Sequence, residues 1–280
     1  MDIFVAGGSG VLGRAVVQSL IAAGSRVTAM TRSPGKAAVL RSLGAEPVVA
    51  DAFDQSAVTR AVAAAGPDAV VHLLTDLGSG DSSSNARLRT VGTRNLVDAA
   101  TRAGVTRMVA ESISWIYPPD VRTAEESTPL DLDAAEPRRT TIMGVDALEN
   151  AVRELPHGTV LRFGQFYGPG TWYSRDGRHG DAARSGTLAA TETVTSFVHV
   201  HDAAQAAVAA LAWPSGTWNI VDDDPAAGRE WAPRLADLLG GPEPVFSVCG
   251  DIGRPVSNSR ARDHGLVLRH PSWREGFATL

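Results

Sequence analysis

The chain opens MDIFVAGGSGVLGRAVVQSL (Met1 to Leu20), and this stretch decides the fold. Ile3 to Ala6 is a short apolar run with the character of a strand, and from Val11 onward the apolar residues recur at helical spacing. Gly7, Gly10 and Gly13 stand between and within them as G-x-x-G-x-x-G. Gly7 permits a tight turn, Gly10 lets the backbone approach a pyrophosphate, and Gly13 lets helix and strand pack closely. The start of the helix offers free N–H groups and the positive end of its dipole to phosphate oxygens. A strand, glycine turn and helix in this order predict a dinucleotide site, with Ser9, Val11 and Leu12 completing its loop.

Working outward, the same alternation continues. Strands are expected at Ile3 to Ala6, Arg26 to Met30, Pro47 to Val49, Ala69 to Leu73, Arg107 to Ala110 and Thr159 to Leu161. Helical patterns lie between them at Val11 to Ala23, Lys36 to Leu43, Gln55 to Ala64, Ser83 to Ala103 and Thr140 to Glu154. Gly24, Gly44, Gly66 and Gly104 follow four of these helices, where a left-handed end suits glycine. Repeated βαβ units build a parallel sheet with helices on both faces, so the fold class is doubly wound α/β, a Rossmann core. After Arg162 the regularity breaks into Gly, Pro and aromatic residues, then a loop and short helix over Thr171 to Gly186. A strand at Ser196 to Val200, a helix at Asp202 to Ala212, a strand at Trp218 to Val221 and a helix near Arg229 to Leu239 follow. Residues 1–165 with 193–222 are expected to form the dinucleotide-binding core. Residues 166–192 with 223–280 are expected to form a substrate-binding cover and small C-terminal lobe.

Composition narrows the partners. With 280 residues and 44% hydrophobic content the chain can bury a full core. Its 26 basic and 31 acidic residues leave a formal charge of −5, with no basic cluster suited to a phosphate backbone, so nucleic acid is not an expected partner. The single cysteine, Cys249, excludes an internal disulfide and is expected as a small core residue. No apolar run approaches the ~20 residues of a membrane span, and no signal peptide is visible, so a cytoplasmic protein without membrane contact is expected.

The second strand leads into Thr31-Arg32-Ser33-Pro34-Gly35-Lys36, where an NAD-specific site would carry a carboxylate. Arg32 with Ser33 suits a 2′-phosphate instead, because a guanidinium forks onto phosphate oxygens. NADP(H) is therefore expected over NAD(H). Asp51 and Ala52 end the third strand near the adenine edge, and Leu73, Leu74 and Thr75 end the fourth beside the same crevice.

These motifs together resemble the extended short-chain dehydrogenase/reductases of the NAD-dependent epimerase/dehydratase type. The resemblance rests on AGGSGVLGR (Ala6 to Arg14), ADAFD (Ala50 to Asp54), VVHLLT (Val70 to Thr75), VGTRNLVDAATRAGV (Val91 to Val105), LRFGQFYGPG (Leu161 to Gly170) and SFVHVHDAA (Ser196 to Ala204). It implies that Phe163, Gly164 and Phe166 also lie at the cofactor. In that family a Ser or Thr stands four residues before a strand-end tyrosine, and a Y-x-x-x-K pair follows on the next long helix. Here those places read Ile113, Thr141 and Val145, counted from Tyr117 and Glu149. Lys36 is the sole lysine, and none of Tyr117, Tyr167 and Tyr173 has a lysine four residues later. The usual general acid and its lysine are missing.

Ser112, Ser114, Tyr117 and Thr141 are the candidate replacement hydroxyls. Trp115, Tyr117, Tyr167, Trp172 and Tyr173 are candidate stacking surfaces for a flat aromatic ligand, with His199 beside them. His199, His201 and Asp202 are too few signals for a metal, and none is expected; Asp202 is expected to cap the helix it begins. The resulting expectation is an NADP(H)-dependent ketoreductase acting on a large aromatic ketone, similar to tailoring reductases of aromatic polyketide antibiotics. Two alternatives stay open: a non-catalytic NADP(H)-sensing regulator similar to NmrA-like proteins, and a sugar-nucleotide epimerase or dehydratase.

Overall fold

Strand β1 (Asp2–Ala6) is followed by α1 (Val11–Ala22), β2 (Arg26–Thr31), α2 (Ala37–Ser42), β3 (Glu46–Val49), α3 (Gln55–Ala65) and β4 (Ala69–His72) in the computed structural model of the protein. The structure describes residues 1–76, 82–248, 250 and 252–280, so Cys249 lies outside the described residues. Helix α4 (Ser82–Arg87) passes through a π-turn, Leu88–Gly92, into α5 (Thr93–Arg102). Then come β5 (Arg107–Ile113), α6 (Arg138–Arg153) and β6 (His157–Phe163). The remainder holds β7 (Gln165–Tyr167), α7 (Arg178–Ser185), β8 (Ala189–Ala190), β9 (Val194–Thr195), β10 (Phe197–His199), α8 (Val200–Ala209) and β11 (Gly216–Ile220). After β12 (Ala226–Ala227) the chain ends with α9 (Gly228–Leu239), β13 (Val245–Phe246), α10 (Ser259–Asp263) and α11 (Trp273–Gly276).

Seven strands form one sheet in the order β11-β6-β5-β4-β1-β2-β3. β1 pairs in parallel with both β2 and β4, Ile3 lying opposite Val27 on one side and Ala69 on the other. The chain thus steps from β1 out to β3 and returns to β4, which makes the β1/β4 boundary the topological switch point where such sheets receive ligands. The two central strands are apolar because both of their faces are covered. Gly24, Gly44, Gly66 and Gly104 all take positive φ at the ends expected of them. Asp54 caps α3 by accepting the Ala57 N–H at 2.9 Å.

Two elements depart from the expectation. β5 runs on to Ile113 rather than stopping at Ala110, because Glu111 and Ser112 stay in the ladder and are buried. The helix expected over Ser83 to Ala103 is interrupted by the π-turn. Among the described residues no helix is long and apolar enough to cross a membrane.

By contact the chain divides into two compact units, Met1–Ser112 with Asp131–Leu161 and Ala204–Thr217, and Ile113–Leu130 with Arg162–Ala203 and Trp218–Leu280. The core of the first includes Phe4, Met30, Val70, Leu96, Met108 and Leu148. The second has an aromatic core of Tyr167, Tyr173, Phe197, Trp231, Trp273 and Phe277. Tyr173 meets Phe197 edge-on at 5.0 Å and Tyr167 meets Phe277 at 5.5 Å. Tyr167 and Tyr173 are therefore core residues and not ligand-stacking surfaces: these edge-to-face contacts use up their ring faces and leave them buried.

Candidate active site

The glycine turn behaves as the sequence requires. Gly7 sits at φ 90° against the Leu73 carbonyl, and a Cβ on Gly13 would collide with the Gly7 carbonyl. A Cβ on Gly10 would come within 3.3 Å of that same oxygen. α1 starts at Gly10 with no side-chain cap and no acidic residue in its first turn. Its leading N–H groups thus face no competing side-chain acceptor, and Val11 and Leu12 open the helix there. This glycine-rich turn at an uncapped, positive helix end fits the pyrophosphate of a dinucleotide.

Around it, Ser9 Oγ lies 2.9 Å from Thr31 Oγ1, and the Ser33 N–H donates to the same Thr31 oxygen at 3.3 Å. Arg32 is 68% exposed at its side chain and rests 3.4 Å from Asp76 Oδ1. Asp51 accepts the Phe53 N–H at 2.9 Å, and the Ala52 carbonyl accepts from Asn95 Nδ2 at 2.8 Å. Leu73 is buried, Leu74 and Thr75 half-buried.

Below this turn the first unit holds a buried polar cluster that the sequence did not announce. His72 ends β4 with Nδ1 accepting the Leu74 N–H at 3.2 Å, so its Nε2 carries the hydrogen and donates to Thr93 Oγ1 at 2.8 Å. Burial, then Arg89, lowers its pKa to about 4. Ser112 donates to Glu149 Oε1 at 2.8 Å, and Arg153 donates to the other Glu149 oxygen at 2.7 Å. The Ser112 hydroxyl is thus committed to a carboxylate. Glu111 is pushed up to about 7 by burial, against the pull of Arg89. Neither Arg89 nor Glu111 is among the expected site residues; the sequence signal for Glu111 was a charge directly after the apolar run Met108 to Ala110, and Arg89 carried none.

Thr141 is half-buried on α6 and Val145, one turn on, is buried. No titratable group occupies either place.

In the second unit Tyr117 is 2% exposed. Its hydroxyl accepts from Arg162 Nη1 and donates to Asn219 Oδ1, both at 2.8 Å, while the Asn219 N–H donates to Glu126. Burial raises its pKa, with Arg162 opposing. A hydroxyl so engaged is not a free acid. Ile113 ends β5 half-buried, and the Ser114 N–H donates to the Phe163 carbonyl at 2.8 Å. Gly164 donates to the Ile220 carbonyl at 3.0 Å, and Phe163 and Phe166 meet at 5.4 Å.

His199 is also a satisfied core group rather than a ligand contact. Its Nδ1 accepts the His201 N–H at 3.1 Å, its Nε2 reaches Thr279 Oγ1 at 3.2 Å, and its ring lies 4.0 Å from that of His270. Burial first, then His270, lowers its pKa to about 3. Asp202 does not cap α8: its two oxygens accept the Arg269 and His270 N–H groups at 2.9 and 2.8 Å, tying down the tail. Of the candidate stacking residues, Trp115 and Trp172 are exposed, at 41% and 39%.

The model of the NAD dependent epimerase/dehydratase family matches residues 3–220. The chain belongs to that family. Along 99% of this member and 99% of the relative, it is 39% identical to a 3-diazoavenalumate denitrifying reductase from Streptomyces sp.. It is 34% identical to a 4-hydroxy-2-methyl-3-oxo-4-farnesyl-3,4-dihydroquinoline-1-oxide ketoreductase from Stigmatella aurantiaca, over 39% of this chain and 32% of that one. In fold it resembles a UDP-glucose 4-epimerase from Thermotoga maritima, with TM-score 0.83, 22% identity and coverage of 100% and 97% of the two chains. This family member is an NAD(P)-dependent oxidoreductase of the reductase kind that binds a nicotinamide dinucleotide.

Proposed function

We propose that the protein reduces an aromatic natural-product intermediate whose hydride acceptor needs no proton from a tyrosine–lysine pair. The reading is carried by α6, where the places that the resemblance assigns to the family's acid and lysine hold Thr141 and Val145. A threonine hydroxyl has no accessible acid pKa. When bound, the reduced nicotinamide supplies a hydride. The glycine turn, Ser9 and the start of α1 hold the pyrophosphate, with Leu73, Leu74 and Thr75 beside it. Arg32 and Ser33 take a 2′-phosphate, Arg32 exchanging its long contact with Asp76 for it, which favours NADP(H).

The acceptor this favours is an aromatic diazo compound. The aryl carbon gains the hydride pair as a C–H bond while dinitrogen leaves with the C–N pair, so a diazonium cation becomes a neutral arene with no proton added. The full-length likeness to a diazo denitrifying reductase supports it. A second acceptor, a polycyclic ketone of the angucyclinone type whose adjacent phenol delivers the proton, is supported by the partial likeness to a ketoreductase. In either case the protein contributes alignment and exclusion of water, and the exposed Trp115 and Trp172 offer faces to an aromatic substrate.

The test is NADPH oxidation against aromatic diazo acids and polycyclic aromatic ketones, with dinitrogen release followed in parallel. Turnover of a diazo acid that survives Ser112→Ala, Tyr117→Phe and Thr141→Val is expected. Collapse of the rate in one folded variant would identify a protein acid and overturn the reading. Cofactor binding without turnover across both panels would favour a cofactor-sensing regulator.

A further inference from the structure

Arg89 is a buried cation that the reduction above does not use. It is 2% exposed in the π-turn between α4 and α5, and its Nη1 has no hydrogen-bond partner among the described residues. A π-turn inserts one residue into a helix and recurs at functional sites. A guanidinium stays protonated even where burial lowers its pKa, so this charge persists.

Three groups locate it. His72 at the end of β4, Glu111 near the end of β5 and Glu149 on α6 all lie within reach of its field. His72 also bonds Thr93, four residues on from Arg89, at 2.8 Å, which sets the π-turn against the carboxyl end of β4, beside the β1/β4 switch point where such sheets receive ligands. Compensation is incomplete. Glu149, whose charge pulls on Arg89, also carries Arg153, His72 is neutral, and Glu111 makes no hydrogen bond to the guanidinium among the described residues.

We propose that the Arg89 charge sets the redox preference of the site, making it hold the reduced cofactor, whose ring is neutral, more tightly than the oxidised one, whose ring is positive. The proposal rests on the crevice being the nicotinamide site. Arg89 acts through its field and not by contact: it promotes release of the oxidised cofactor and keeps the site loaded with the reduced one, rather than taking part in a bond change. Unit charges about 10 Å apart at an effective dielectric of about 20 alter affinity by about tenfold. Glu111 opposes this field when ionised, and burial holds its carboxyl up to about 7. His72, neutral across the range, and the Glu149–Arg153 pair do not change state there.

The experiment measures dissociation constants for NADPH, NADP+ and the nicotinamide-free fragment 2′,5′-ADP with the wild type, Arg89→Met and Arg89→Lys. The wild type is expected to prefer NADPH by about tenfold. Arg89→Lys should keep that ratio, and Arg89→Met should lose it while binding 2′,5′-ADP as before. Equal affinities in the wild type, or an undiminished ratio in Arg89→Met that still binds the fragment, would overturn the proposal. Should Arg89→Met fail to bind the fragment, the wild type decides alone: its ratio should shrink from pH 6 to pH 8 as Glu111 ionises, and a flat ratio overturns the proposal. Glu111→Gln is expected to remove that pH dependence. Failure of all three ligands to bind would overturn the cofactor reading and the proposal together, whereas absence of turnover with the ratio intact would overturn only the reductase reading.

Discussion

Tyr117 accepts from Arg162 and donates to Asn219, so Tyr117→Phe leaves two buried polar atoms facing carbon. Stability should fall by about 1–3 kcal/mol in denaturant unfolding, with little change in the rate of reduction. Glu149→Ala should cost a similar amount, about 1–3 kcal/mol, because the buried Ser112 hydroxyl loses its acceptor while Arg153, 41% exposed, stays solvated. Arg32→Ala should weaken NADP+ about tenfold while leaving NAD+ unchanged; equal affinities for the two cofactors in the wild type, unaltered by the substitution, would remove the 2′-phosphate role.

At the scale of elements, what was legible was what periodicity and glycine dictate. The alternation of β1 to β4 with α1 to α3 followed from apolar spacing and from glycines that only a turn or helix end explains. The π-turn and the last residues of β5 were hidden because Arg89, Glu111 and Ser112 are polar residues in core positions, which a hydrophobic pattern reads as interruptions. The segment around Trp172 and Tyr173 misled in the other direction: its polar sequence suggested a loop over a ligand, yet Tyr173 stacks on His179 at 4.4 Å and turns into the aromatic core, leaving Trp172 outside. Gly13→Ala tests the close contact of α1 on the turn that follows β1. Its Cβ meets backbone that cannot give way, so about 1–3 kcal/mol of stability and the binding of the dinucleotide should both be lost, as read by unfolding and by NADPH titration.

For the whole molecule, buried titratable groups set the response to pH. Glu111 and Asp222 are raised to about 7 and about 8, chiefly by burial, so the folded protein keeps protons that the unfolded chain releases. Their contribution is complete below the ordinary carboxylate range and is lost as pH rises through 7 to 8. His72 and His199, lowered to about 4 and about 3, act oppositely, and their contribution is lost as acid approaches those values. Between pH 6.5 and 8.5 the carboxyls dominate, so the denaturation midpoint should fall with rising pH, and fall less in Glu111→Gln. The proposed function draws on the same economy of acids, since the Ser112 and Tyr117 hydroxyls are engaged in buried hydrogen bonds. The most direct measurement is therefore the stoichiometry of a single reduction: reduced cofactor, an aromatic diazo acid and the protein mixed at matched concentrations, with oxidised cofactor, arene and dinitrogen counted. One of each per turnover, at a rate that Thr141→Val leaves unchanged, is the expected result. Bound cofactor that stays reduced, with no dinitrogen released from any diazo acid and no alcohol formed from any ketone, would contradict it.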